Sequence, residues 1–271
     1  MNGFFTTKDN FENIIKSVLR EFDEITLVDT GWTNFVYKVK KCNQKYVFRF
    51  PRNMFFSSVL SKEVAFNNFI KDKLSIETPN LNLFYHNNRP FSMHKEIPGK
   101  SMSEVYKILT LEEKHKIAKQ VSYFIYELQH LDMTDLNLNL ITTSEFLKEL
   151  SKVDDQDYDL TKLNPLIDLE RSDLVLSHAD LNPGNILLDE NHNVCGILDF
   201  AFVSFTSSLN DMARLIGRLP DDYYDIMLEE YNKVFDIDVD KNAVDEIIKV
   251  WNHVEYHYMI YMKNNHPEIK F

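Results

Sequence analysis

The chain is short of residues that several protein classes depend on. It has only two cysteines, Cys42 and Cys195, in 271 residues. They fall in an expected strand turn and an expected core strand, show no metal-type spacing, and are expected to be free thiols. Basic side chains are in deficit, 30 Lys and Arg against 42 Asp and Glu, for a net charge of -12. That balance argues against nucleic acid as a partner, because phosphate contacts need a basic surface. It suits a small cationic partner, although acidity by itself mainly confers solubility. No apolar run is long enough to span a membrane. The opening MNGFFTTKDNFENIIK lacks a basic region followed by an apolar one. A cytoplasmic monomer that engages neither membrane nor nucleic acid is the expectation. No internal repeat or low-complexity tract is apparent. What the chain does have is length and 44% hydrophobic residues, enough for one large domain or two lobes with a real core.

One stretch carries chemistry. Residues 174–200 read LVLSHADLNPGNILLDENHNVCGILDF. The apolar run Leu174 to Leu176 predicts a buried strand feeding a loop. Pro183-Gly184 is a turn signal. Asn185 to Asp189 and Val194 to Asp199 read as two strands joined by a polar turn. His178, Asp180 and Asn185 match the H-x-D-x-x-x-x-N spacing of a phosphoryl-transfer loop. Asp199-Phe200 stands where D-F-G places a metal-binding aspartate, with Ala201 in place of the glycine. Moving a phosphoryl group from MgATP or MgGTP needs metal to neutralise its charge and a base beside the attacking hydroxyl. Asp180 would be that base. Asn185 and Asp199 would hold the metal, and an amide oxygen with a carboxylate suits a hard cation such as Mg²⁺. His178 reads as a brace for the loop, because the aspartate already supplies the base.

The form HADLNPGN followed by ILDF resembles the aminoglycoside phosphotransferase and choline kinase group of small-molecule kinases. FRFPR and the spacing of the segments look most like the aminoglycoside 2''-phosphotransferases. The resemblance implies an α+β, two-lobed protein-kinase-like fold, with an antiparallel sheet lobe over 1–96 and a larger, mainly helical lobe over 97–271. It implies ATP or GTP as phosphate donor, Mg²⁺ as cofactor and an aminoglycoside as acceptor. Phe91 to Gly99 resembles the hinge, with the Lys95 carbonyl and Ile97 NH facing the nucleotide base and His94 behind it. Asp211, in SSLNDMARL, sits where the family starts a helix whose aspartate accepts hydrogen bonds from the catalytic loop.

The remaining segments fit around this frame. A helix is expected over 7–22, capped by Thr7 or Asp9, then strands over 24–29, 34–40 and 45–50. Asp29 to Asn34 occupies the place of a phosphate-covering loop. It has a single glycine, Gly31, so it departs from G-x-G-x-x-G, and the Thr33 hydroxyl and backbone NH groups are its phosphate contacts. Arg49 stands where a kinase-like third strand carries its nucleotide lysine, with Arg52 as competitor. Glu63, in a helix expected over 57–73, would hold that cation. A core helix over 111–131, a solvated acidic loop over 151–165, and helices over 207–219, 221–235 and 241–264 complete the reading. Asp221, Asp222, Asp225, Glu229, Glu230 and Glu255 form the pool from which an acidic wall facing an amino-sugar would come.

Other readings share the catalytic loop. Choline, homoserine, a macrolide or a sugar would use the same chemistry, and a nucleotide-binding pseudoenzyme would keep the fold without needing the base. A protein kinase fits less well. No Ala-Pro-Glu motif follows Asp199, and Asp211 comes only eleven residues after Phe200.

Overall fold

The computed structural model of the chain describes residues 3–28, 33–153 and 159–265. The chain divides into two compact units. One comprises Met1–Phe69, Pro79–Ile97 and Met259–Phe271, the other Ile70–Thr78 and Pro98–Tyr258. This division differs from a single cut at 96–97 in giving 259–271 to the first unit and 70–78 to the second. The 70–78 segment joins the second unit because the Ile197 N–H donates to the Glu77 carbonyl at 3.0 Å and Ser75 donates to Glu127 at 2.7 Å.

The first unit is built on helix α1 (Phe11–Leu19) and strands β1 (Glu24–Val28), β2 (Asn34–Lys41) and β3 (Gln44–Pro51). Helix α2 (Met54–Ile70) and strands β4 (Asn82–His86) and β5 (Arg89–Lys95) follow. The sheet order is β1-β2-β3-β5-β4, antiparallel throughout. Register divides the side chains of β2 and β3 between two faces. Phe35 pairs with Phe50 and Tyr37 with Phe48, while Val36 pairs with Arg49 on the other face. Phe5, Phe11, Phe50 and Phe91 close the first face, with Phe11 and Phe91 each 5.0 Å from Phe50. Each such ring contributes about 1.5–3 kcal/mol by leaving water. Helix α1 is shorter than the expected 7–22. Its cap is Asn10, whose side chain accepts from the Asn13 N–H. Asp9 is engaged elsewhere, accepting from the Thr6 N–H and pairing with Arg89 at 2.7 Å. Arg20, at φ 66°, ends the helix. Helix α2 starts three residues before the expected position because the Asn53 side chain accepts from the Phe56 N–H at 2.9 Å. Asp72 stands at φ 62° after its last turn.

The second unit runs through β6 (Lys100–Ser101), α3 (Met102–Val105), α4 (Leu111–Gln129), α5 (Thr143–Val153) and α6 (Asn164–Glu170). Then come β7 (Val175–Ser177), β8 (Ile186–Leu188), β9 (Val194–Ile197), β10 (Ser204–Thr206), α7 (Asn210–Ile216), α8 (Tyr224–Phe235) and α9 (Lys241–Asn265), of which the second unit holds the part up to Tyr258. The strands make a β10-β7 pair and a β6-β8-β9 sheet. Helix α4 begins in a capping box between Thr110 and Glu113 and buries Ile117, Val121, Phe124, Ile125 and Leu128. The solvated loop expected over 151–165 is partly helical: α5 runs to Val153, a 3-10 turn spans Leu160–Leu163, and α6 begins at Asn164. Asp154, Asp155 and Asp157 of that stretch lie outside the described residues. Helix α7 is shorter than the expected 207–219, because the Ser207 carbonyl accepts from the Asn210 N–H in the turn that precedes it.

Candidate active site

Strand β7 ends at Ser177, pairs with Ser204 of β10, and hands the chain to a loop whose backbone is closely tied. The His178 and Ala179 N–H groups donate to the two Asp211 carboxylate oxygens, at 2.9 and 2.8 Å. Ala179 sits at φ 60°, a left-handed conformation that costs about 1–3 kcal/mol and persists only when its surroundings hold it. Asp211 supplies that hold from the first turn of α7. Burial pushes its carboxyl above the usual carboxylate range, opposed by His178 and by hydrogen bonds from Ser177 and the loop.

His178 is fully buried and spends both ring nitrogens on the backbone. Nε2 donates to the Leu198 carbonyl at 2.8 Å, and Nδ1 accepts from the Asp180 N–H at 3.2 Å. Its ring packs 4.5 Å from that of Phe200. Neither nitrogen is left to carry a proton to a substrate. The Asp180 carbonyl accepts from the Asn182 and Asn185 side-chain amides, each at 3.0 Å. With its nitrogen turned toward that carbonyl, the Asn185 side chain keeps its oxygen for another partner. The Leu198 N–H donates to the Asn185 carbonyl at 2.9 Å, which sets the start of β8 beside Asp199 at the end of β9. An amide oxygen and a carboxylate on one hairpin rim are hard donors. They fit Mg²⁺ and do not fit a soft metal.

The sequence gives no sign of the next neighbour. Arg214 of α7 donates through Nη2 to Asp180 Oδ1 at 2.7 Å. Its Nη1 pairs with Glu255 of α9, which also accepts from Arg218 Nε at 2.7 Å. The only hint available beforehand is that Arg214 follows Asp211 by three positions, on the same side of a helix. Burial, with Arg214 nearby, pushes the Arg218 guanidinium down to about 10, and Asp180 opposes the shift.

In the first unit, Arg49 and Glu63 meet at 2.5 Å, both buried. The Thr33 hydroxyl accepts from the Asn34 side chain at 2.8 Å, and its carbonyl accepts from the Arg52 N–H. Arg52 lies 3.8 Å over the Phe35 ring. Gly31 lies outside the described residues. At the end of β5 the His94 Nδ1 lies 2.8 Å from the Lys95 carbonyl. That carbonyl therefore already has a protein partner and keeps one lone pair. Among the described residues no acceptor meets the Ile97 N–H.

The acidic pool does not form a free wall. Asp222 pairs with Lys114, Asp225 with Lys241 at 2.7 Å, and Glu229 with Lys233 at 2.7 Å. Glu230 is buried and shared by His115 and Lys233, while Glu255 is committed to Arg214 and Arg218. Asp221 remains exposed in a 3-10 turn. His115, Glu229 and Glu230 lie close enough together to suggest a metal site. The Lys233 ammonium already sits on both carboxylates.

The model of the phosphotransferase enzyme family matches residues 24–241. Among solved structures, the GDP and kanamycin complex of APH(2")-IIia aligns with 96% of this chain and 94% of its own, with a TM-score of 0.73 and 17% identity. An aminoglycoside-3'-phosphotransferase of type VIII covers 89% of this chain and 98% of its own, with a TM-score of 0.66 and 17% identity. The macrolide 2'-phosphotransferase MphH from Brachybacterium faecium covers 95% of each chain, with a TM-score of 0.64 and 11% identity.

Proposed function

We propose that this chain, which belongs to the phosphotransferase enzyme family, moves the terminal phosphoryl group of ATP or GTP onto a hydroxyl of a small molecule, with an aminoglycoside as the leading acceptor. The observation that carries the reading is the fixed geometry of the loop. The Asn185 amide is bonded to the Asp180 carbonyl, and the Asn185 carbonyl accepts from the N–H of Leu198, the residue before Asp199. In the step itself, the acceptor O–H gives its proton to the Asp180 carboxylate as its oxygen bonds to the terminal phosphorus. The bond from that phosphorus to the bridging oxygen breaks, and the nucleoside diphosphate leaves with the electron pair. Mg²⁺ held by Asn185 and Asp199 would neutralise charge on the phosphates. Arg49, kept in place by Glu63, and the Thr33 hydroxyl are the phosphate contacts on the first unit. The Lys95 carbonyl and the Ile97 N–H are the contacts for the base.

Two solved neighbours favour the aminoglycoside, since one is a kanamycin complex and another is a gentamicin complex. Ion pairing of five of the six acidic residues, Asp221 excepted, favours a second reading, the same transfer to a less cationic hydroxyl compound such as a macrolide. If the first reading holds, the reaction would inactivate the antibiotic. The deciding experiment is nucleotide turnover by the purified protein with Mg²⁺ and either ATP or GTP. The acceptors are kanamycin-like and gentamicin-like aminoglycosides, choline, homoserine and a macrolide, with Asp180→Asn as control. Aminoglycoside-stimulated turnover that vanishes in the control supports the proposal. Stimulation by another acceptor alone discards the aminoglycoside. Silence with every acceptor despite tight nucleotide binding favours the pseudoenzyme.

A further inference from the structure

We propose that Arg214 is a positioning residue for the Asp180 carboxylate, and that Trp251, Glu255 and Arg218 form the frame that fixes Arg214. The proposal rests on the reading of Asp180 as the base. The Asp180 backbone is tied through both its N–H and its carbonyl, but those bonds leave χ1 and χ2 of the side chain free to turn. Among the described residues the bond that fixes the carboxylate itself is the one from Arg214 Nη2 to Oδ1. With one oxygen held there, the other is presented in one direction, as a base that must lie on the line of attack requires.

The frame explains why an arginine does this. Arg214 is almost fully buried. Its guanidinium lies 4.4 Å over the Trp251 ring, and Trp251 is itself held by an Nε1–H bond to Asn210 Oδ1 at 3.0 Å. The planar fork serves two carboxylates at once, Asp180 through Nη2 and Glu255 through Nη1. A lysine ammonium, a point charge on a flexible stem, would reproduce the charge without the two fixed directions. Arg218 completes the set by donating to Glu255. Two carboxylates and two guanidiniums sum to zero charge, so the buried Arg214 cation is compensated, while Arg218 reaches solvent. All four side chains come from the second unit: Asp180 from the loop, Arg214 from α7, Arg218 two residues beyond its end, and Glu255 from α9.

A purely architectural role, tying α7 to α9, predicts a different response to mutation. The test compares Arg214→Met, Arg214→Lys, Asp180→Asn and the Asp180→Asn/Arg214→Met double variant. The readouts are Mg-dependent nucleoside diphosphate release from ATP and GTP with water and with kanamycin as acceptors, and a crystal structure of Arg214→Met. Positioning predicts that Arg214→Met lowers kcat about 10- to 100-fold at nearly constant KM for the nucleotide, with partial rescue by lysine. It also predicts that the double variant is no slower than Asp180→Asn alone and that the Asp180 side chain leaves its rotamer in the crystal. If Arg214→Met does not fold, Arg214→Lys serves for both the kinetics and the crystal. An unmoved Asp180 side chain overturns the proposal whether or not turnover is detected, as does a full additional loss in the double variant. Normal nucleoside diphosphate release by Asp180→Asn with kanamycin would instead remove the base reading on which the proposal stands.

Discussion

Arg49–Glu63 in the first unit and Arg214–Asp180 in the second are both close arginine–carboxylate pairs, and the two differ in what they leave to water. In the first unit the Arg49 and Glu63 side chains are 9% and 2% exposed. In the second, Arg214 is as buried, at 8%, but Asp180 is 21% exposed. Two charges buried together must satisfy each other, and removing either strands its partner in a medium that solvates it poorly. A pair with one open carboxylate has lone pairs to spare for a molecule from solution. The first is buried on both sides, with Glu63 fixing Arg49. The second leaves open to solution the carboxylate proposed as the base.

That distinction predicts opposite responses to breaking each pair. Asp180→Asn should lower turnover by about a hundred- to ten-thousand-fold. Its cost in stability should be small, because asparagine keeps the size and an oxygen for Arg214. Turnover assays alongside urea unfolding check both halves. Near-normal turnover would remove the base role, and a large loss of stability would make this a structural pair as well. Glu63→Ala should do the reverse in its larger effect, costing about 3–5 kcal/mol of stability by taking a buried carboxylate away from the Arg49 guanidinium. A loss below about 1 kcal/mol in the same unfolding experiment would mean that water reaches Arg49 as it reaches an exposed pair.

The two pairs also differ in how far the sequence discloses them. Arg49 and Glu63 lie on a strand and the next helix, fourteen positions apart, and each element shows its own period and turn signals. Arg214 and Asp180 are thirty-four positions apart, joined through a loop and three short segments, and no local pattern records their meeting. The same contrast runs through the fold. Strands β2 and β3 were legible from alternation about the Cys42 turn. The β4–β5 hairpin was missed although Asn87 and Asn88, at φ 50° and 62°, are the residues a tight hairpin prefers. Helix α5 was missed although Thr142 and Glu145 bond each other's backbone N–H groups, a capping box that the letters TTSE announce. Strand β10 is only three residues long, too short to show a period. The acidic pool shows the same limit, because a carboxylate's spacing does not reveal which lysine or arginine the fold will bring to it.

The smallest expected effect bears on the Arg49–Glu63 pair. Lys62 stands beside Glu63 on α2, and burial pushes its ammonium down to about 8 from 10.5, with the Glu63 carboxylate opposing the shift. Between those two values the unfolded chain still holds a proton that the folded chain has released, so wild-type stability rises with pH across that window. Below it the folded chain carries the full cost of a buried charge. Lys62→Met carries no such charge. Its melting temperature should therefore exceed that of the wild type most clearly at about pH 7, and the gap should narrow by about pH 10. Thermal melts of both proteins at the two values check this. A gap that stays constant would place the Lys62 ammonium in water.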